Sequence, residues 1–269
     1  VSSVQELQLT TLGKNITALE IDGTFDDCQQ MVKKAFADEE LNKKLFLTSA
    51  NSINVARWLP QQFYYFFAYQ QWKEKNDPPV ISVPSGNFGN ICAGILAHRS
   101  GLPVQHFIAA CNANDVVPNY LDTGKYTSKP SVATLSNAMD VGDPSNFVRI
   151  LEIFDQEFNP LKSIMSSYSI SDEETKEALK EVYLKTNYLL DPHGAVGYIG
   201  LKKYLQENPD HKGIFLETAH PVKFYDVVEP VIEEPVPMPA AINDLLKKKK
   251  QSIKMGFDYN ALKEYLSAK

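Results

Sequence analysis

Residues 85–90, Ser-Gly-Asn-Phe-Gly-Asn, combine the residue types of an anion cradle. The apolar run Val80-Ile81-Ser82-Val83 stands before them and a second apolar run, 91–97, follows. A loop between the C-terminal end of a strand and the start of a helix points several unpaired backbone N–H groups at one spot, and the helix dipole adds partial positive charge there. Gly86 and Gly89 let the backbone turn sharply and approach a ligand closely. A phosphate suits such a place. A plain tight strand-to-helix turn accounts for the same spacing, so the pattern leaves both readings open. No lysine follows Gly89 and the spacing is not GxGxxG, which argues against ATP and against a dinucleotide.

Two further groups of residues invite a chemical reading. Thr218, in Glu-Thr-Ala-His-Pro at 217–221, follows a short apolar strand and would share an edge with the phosphate loop, because ligands gather outside the C-terminal strand ends of an open α/β sheet. It could equally cap the helix that Pro221 begins. Asn51, Ser52, Asn54 and Arg57 form a denser polar cluster than a helix start needs, and contact with a substrate competes with local capping. The histidines His98, His106, His193, His211 and His220 show no metal-ligand spacing, and neither HExxH nor GxSxG occurs. His193, in the first turn of an expected helix, is open to a structural or a catalytic role.

The elements that would position these residues alternate between strand and helix. A strand at 16–21 precedes Thr24 and Asp27, which have capping-box spacing, and Cys28, Met31, Val32, Ala35 and Phe36 fall on one helical face. Residues 54–75 read as a long helix buried by its aromatic side chains. The strand at 80–83, a helix to about Ser100 and a strand at 104–110 make a βαβ unit, which implies a parallel sheet. Ser171 with Glu174 opens another helix, a further helix runs from about His193 to Gln206, and a strand covers 213–217. Lys247–250 reads as a solvated helix face.

The composition is that of an ordinary globular protein: 269 residues, 43% hydrophobic and 22% charged. A net charge of -6 disfavours a general nucleic-acid partner. Cys28, Cys92 and Cys111 are scattered and odd in number, as expected of reduced thiols in a cytoplasmic protein. No stretch is long and apolar enough to suggest a membrane span.

Several stretches carry a resemblance, in order along the chain: VSSVQELQLTTLGKNITALEIDGTFDDCQ, TSANSINVAR, VPSGNFGNICAG, NANDVVPNYLDTGKY, AMDVGDPSNF, LDPHGAVGY and TAHPVKF. Together they resemble the threonine synthases, pyridoxal 5'-phosphate enzymes of fold type II. The resemblance implies an α/β fold, tryptophan synthase β-like, with an open parallel sheet flanked by helices and a partial small domain at the N-terminus. Residues 1–50 would be a remnant of that small domain, and 51–269 the large cofactor-binding domain with a C-terminal helical tail. Gly86, Asn87, Phe88 and Asn90 would hold the cofactor phosphate, and Thr218 would face the pyridine nitrogen. The implied reaction converts O-phospho-L-homoserine and water into L-threonine and phosphate. Another fold type II lyase or dehydratase, or a related phospholyase, is the neighbouring reading; a non-catalytic phosphate-binding module is the reading of another class. The family's Schiff-base lysine stands in an SFKD-like motif that is absent here, and Lys223 matches a non-catalytic position. The chain is therefore expected to lack an N-terminal segment of the same enzyme, to carry no catalytic lysine, and to be inactive alone.

Overall fold

The computed structural model describes residues 2–268. The chain divides into two compact units, Val1–Ser49 with Pro237–Lys269, and Ala50–Val236. Six strands are present among the described residues: β1 (Leu19–Asp22), β2 (Val80–Pro84), β3 (His106–Cys111), β4 (Met165–Ser169), β5 (Gly213–Phe215) and β6 (Ile253–Gly256). The helices up to the middle of the chain are α1 (Ser3–Thr10), α2 (Phe25–Ala37), α3 (Glu39–Lys44), α4 (Trp58–Gln71), α5 (Gly89–Arg99) and α6 (Val116–Thr123). They continue as α7 (Phe147–Ile153), α8 (Phe158–Ile164), α9 (Asp172–Thr186), α10 (Pro192–Glu207), α11 (Tyr225–Ile232), α12 (Ala240–Leu246) and α13 (Tyr259–Ser267).

In the first unit β1 pairs in parallel with β6, Leu19 opposite Ile253 and Asp22 opposite Gly256. The capping box of α2 forms as its sequence requires: Thr24 Oγ1 accepts from Asp27 N–H, and the Asp27 carboxylate accepts from Thr24 N–H at 2.8 Å. Tyr259 and Lys263 of α13 both reach Asp38, at 2.7 and 2.9 Å, and hold its carboxyl well below the usual range. The tail thus differs from its expected place. Residues 237–269 group with the N-terminal segment and not with 51–236, because β6 completes a ladder that β1 cannot form alone. Lys247–250 is also corrected: it follows the end of α12 and is not helical.

The second unit is built on a four-stranded, wholly parallel sheet in the order β4-β3-β2-β5. Its central strands are buried on both faces, which is why Val80–Pro84 reads as a nearly continuous apolar run. Alternation still sorts the two faces. Ile81, Val83, Phe107, Ala109 and Cys111 pack with α5 and with Tyr65 of α4, while Val80, Ile108 and Ala110 pack against α10. Along α10, a side chain at Gly200 would meet Ala110 Cβ at 2.8 Å, and Ser82 Oγ donates to Gly197 C=O at 2.7 Å. The helix therefore lies almost on the strands. Among the described residues no helix is long and apolar enough to cross a membrane.

The long aromatic helix departs from expectation. It is shorter, Trp58–Gln71 after a 3-10 turn at Val55–Arg57. Only Trp58 and Tyr65 are buried, whereas Phe63, Tyr64 and Phe67 are 59–66% exposed. Residues seven apart share one helical face, so the side that meets α5 takes Trp58 and Tyr65 and leaves the other rings outward.

Candidate functional site

The strand order fixes where a site can be. From β2 the chain steps to β3 and then β4 in one direction; it returns to place β5 on the opposite side of β2. The direction in which strands are added thus reverses between β2 and β5, all strands staying parallel, and open α/β sheets bind ligands at the C-terminal edge of such a switch point. The residues leaving β2 are 85–90. Those leaving β5 are Glu217 and Thr218, since Leu216 N–H still bonds Ser82 C=O at 3.0 Å.

The loop is tethered at both ends and open in the middle. Ser85 N–H donates to Ala110 C=O at 2.8 Å, and Ser85 Oγ donates to Val83 C=O at the same distance. Beyond it, the N–H groups of Gly86, Asn87, Phe88, Gly89 and Asn90 donate to no acceptor among the described residues. Phe88 stands at the start of α5 with φ 64°, and no side chain caps that helix. A left-handed conformation at a non-glycine costs about 1–3 kcal/mol and persists only where the surroundings impose it. Here the surroundings do: Phe88 is 2% exposed and packs edge-on against Phe147 at 5.6 Å between ring centres.

Neighbouring backbone and side chains press the loop into shape. A Cβ at Gly86 would come within 2.5 Å of Met139 Cα, and one at Gly89 within 2.7 Å of Ser52 Cβ. Neither position has room for a side chain. Asn87 is fixed by its side-chain oxygen, which accepts from Ser145 N–H and Oγ at 2.8 and 3.0 Å. Its carbonyl accepts from Asn146 Nδ2 at 2.8 Å. Asn90 turns its amide back onto Pro84 C=O at 2.8 Å, and its carbonyl accepts from Tyr65 OH at 2.7 Å. The Asn87 and Asn90 side chains therefore shape the loop, and it is the backbone that is left free to bind.

Of the polar cluster at 51–57, the structure brings Ser52 to the loop. Ser52 Oγ accepts from Asn146 Nδ2 at 2.9 Å. Asn51 and Asn54 instead serve their own turns, accepting from Ile53 N–H and Ala56 N–H at 3.2 and 3.1 Å, and Arg57 is exposed at the start of α4. The arginine that matters here is Arg149, which the sequence reading passed over. Its guanidinium donates to Ser52 C=O, Ile53 C=O and Asn146 Oδ1 at 2.8, 2.6 and 2.8 Å, and it lies over the Trp58 ring. Asn146 is fully buried. Both residues belong to or adjoin the stretch AMDVGDPSNF, which carried the resemblance without an assigned role; an Asn three residues before an Arg is no local signal of its own.

Thr218 is exposed just beyond β5 and caps no helix among the described residues: the turn at Pro221–Phe224 is capped by His220, which accepts from Val222 N–H at 3.1 Å. His193 is structural. Nε2 accepts Ala138 N–H at 3.2 Å, so Nδ1 carries the hydrogen and donates to Asp191 at 2.6 Å. Burial pushes the Cys111 thiol up to about 12, and Cys92 is raised by the same cause, which leaves both inert. No group of three or more metal-ligating side chains occurs among the described residues.

An uncapped helix start at a switch point, with five open amides, can hold a phosphate group. Comparison with known proteins names the class. Residues 1–216 match the family described as pyridoxal-phosphate dependent enzyme, and residues 194–266 match that described as threonine synthase, C-terminal. The chain belongs to the pyridoxal-phosphate dependent enzymes, and its parallel sheet flanked by helices is their fold type II architecture. More particularly, it is similar to threonine synthases. It is 44% identical to that of Buchnera aphidicola subsp. Schizaphis graminum, covering 100% of this chain and 62% of the relative. The crystal structure of threonine synthase from Escherichia coli superposes with a TM-score of 0.93 at 43% identity, over 99% of this chain and 62% of that one. The pyridoxal-phosphate-bound threonine synthase from Brucella melitensis superposes at 0.83 and 33% identity, over 100% and 63%. The chain thus spans just over three-fifths of the length of these relatives.

Proposed function

We propose that the protein carrying this chain is a threonine synthase, converting O-phospho-L-homoserine and water into L-threonine and phosphate. The observation that carries the reading is the row of open amides at Gly86–Asn90 on the switch-point edge, taken with the similarity to threonine synthases along the whole chain. Pyridoxal 5'-phosphate, when bound, supplies an electron sink for carbanions at the substrate's α and β carbons. This chain's residues do the holding. The N–H groups of Gly86, Asn87, Phe88 and Asn90, with that of Gly89, take the phosphate end at the positive pole of α5. Thr218 offers its hydroxyl to the ring nitrogen from the next strand; a hydroxyl does not fix a proton there as a carboxylate would, so the sink is a mild one. Ser52, fastened by Asn146 and Arg149, walls the site over Gly89 and is the member of the 51–57 cluster best placed to meet substrate. The three unpaired cysteines support a cytoplasmic setting.

Product analysis tests the assignment. The whole protein, loaded with pyridoxal 5'-phosphate and given O-phospho-L-homoserine, is expected to release threonine and phosphate in equal amounts. Release of 2-oxobutyrate and ammonia would instead assign it to the dehydratase-like lyases.

A further inference from the structure

Two buried carboxyls stand beside this site without a cation. Asp191, fully buried, caps α10: its Oδ1 accepts from His193 N–H at 2.8 Å and from the His193 ring at 2.6 Å. Its Oδ2 is buried and meets no donor among the described residues. Glu217, the first residue past Leu216 and the one before Thr218, buries both carboxyl oxygens, again with no donor. The two side chains are within hydrogen-bonding reach of each other. Glu217 occupies the space that a side chain at Gly194 would fill, over the first turn of α10, so the missing Cβ makes its berth. No lysine or arginine among the described residues pairs with either group; the other titratable groups that face them are His193 and Tyr188.

Two carboxylates in such a place would each lack a donor and repel the other. One proton resolves both faults, because a carboxylic acid donates where a carboxylate accepts. We propose that Glu217 is a positioning residue whose carboxylic acid donates its proton to Asp191 Oδ2, and that this bond fixes the Thr218 hydroxyl beside the phosphate loop. The role assigned to Thr218 rests on the cofactor reading above; the shared proton does not. Burial, then the hydrogen bond to Asp191 and the Asp191 charge, push Glu217 up to about 10, against a smaller lowering by the Asp191 backbone N–H. Asp191 moves the other way: bonds from His193 and Glu217 outweigh its own desolvation. The line continues through His193. His193 accepts Ala138 N–H, and Ala138 lies in the turn Asn137–Met139 that presses Met139 against Gly86. Hydrogen bonds from His193 to Asp191 and from Ala138 N–H to His193, and then the close approach of Met139 to Gly86, thereby link the neighbourhood of Glu217 to the loop that carries the amides.

The sign of the pH effect follows. Glu217 takes up a proton on folding, so its contribution to stability is complete below the ordinary glutamate value of about 4.3. It is lost progressively as pH rises toward and through about 10. Glu217→Gln keeps a donor toward Asp191 and cannot ionise, so its stability should decline less across that window.

The test uses the 269-residue chain without added cofactor. Infrared difference spectra at neutral pH are expected to show a protonated-carboxyl band that Glu217→Gln abolishes and Asp191→Asn shifts. Hydrogen exchange of the amides at 216–220 should be unchanged in Glu217→Gln and roughly ten- to a hundred-fold faster in Glu217→Ala, the loss of one bond to a charged group. In the parent chain, but not in Glu217→Gln, the segment should open above about pH 10. Absence of the band from the parent, or equal exchange in the Gln and Ala variants, overturns the proposal. Pyridoxal 5'-phosphate binding is then measured on the same proteins. If the band and exchange pattern are present and the cofactor leaves the Thr218 amide unmoved, the shared proton stands and the role assigned to Thr218 falls.

Discussion

The starts of α5 and α9 show two ways of treating the same unsatisfied N–H groups. At α9 the side chain of Ser171 accepts from Glu174 N–H, and the Glu174 carboxylate accepts from Ser171 N–H at 2.9 Å. That helix closes its own end. At α5 the preceding residue is a buried phenylalanine in left-handed geometry, no side chain caps the helix, and five successive amides are left over. Yet α5 is well buried, with Ile91, Cys92 and Ala93 at 0% exposure. The two ends thus differ: side chains at the start of α9 answer its own amides, and at the start of α5 none do.

Substitutions at the two ends should separate these cases, and the largest effect belongs to Phe88. Phe88→Ala removes a buried ring from its seat on Phe147 and should cost about 3–5 kcal/mol in denaturant unfolding. With the left-handed turn no longer held, affinity for pyridoxal 5'-phosphate should fall with it. Gly86→Ala places a methyl against Met139 Cα. A stability loss of about 1–3 kcal/mol is expected from overpacking, and phosphate binding followed by calorimetry should disappear, because the backbone cannot give without turning its amides. At the capped end, Ser171→Ala should cost about 1 kcal/mol and leave phosphate binding untouched. If it weakened binding as much as Gly86→Ala, the contrast between the two helix starts would fail.

Much of this contrast was legible in the residues themselves. Thr24 with Asp27 and Ser171 with Glu174 declare their helix starts through local chemistry, and both capping boxes form. The loop at 85–90 was readable for the same reason, since glycines and a strand-to-helix change are local signals. What escaped was non-local. Arg149 and Asn146 matter because the chain folds them against Ser52, some 95 residues away. β6 is a strand because β1 is opposite it. Glu217 is unusual only because Asp191 and Gly194 face it.

The aromatic helix α4 teaches the converse lesson. Phe63, Tyr64 and Phe67 carry a strong expectation of burial that the described residues do not fulfil. Residue type sets a preference, and the face on which a residue falls decides the outcome. The smallest predicted effect lies here: Phe63→Ser should change the stability of this chain by less than about 0.5 kcal/mol. A larger loss would show that the outward face of α4 is covered in solution.

Amide-resolved NMR of the isotopically labelled chain, titrated with pyridoxal 5'-phosphate and separately with inorganic phosphate, tests the account at its centre. Both ligands should move the resonances of Gly86 to Asn90 together and saturably, while those at the start of α9 stay fixed. Unmoved signals at Gly86 to Asn90, with binding detected elsewhere in the chain, would contradict it.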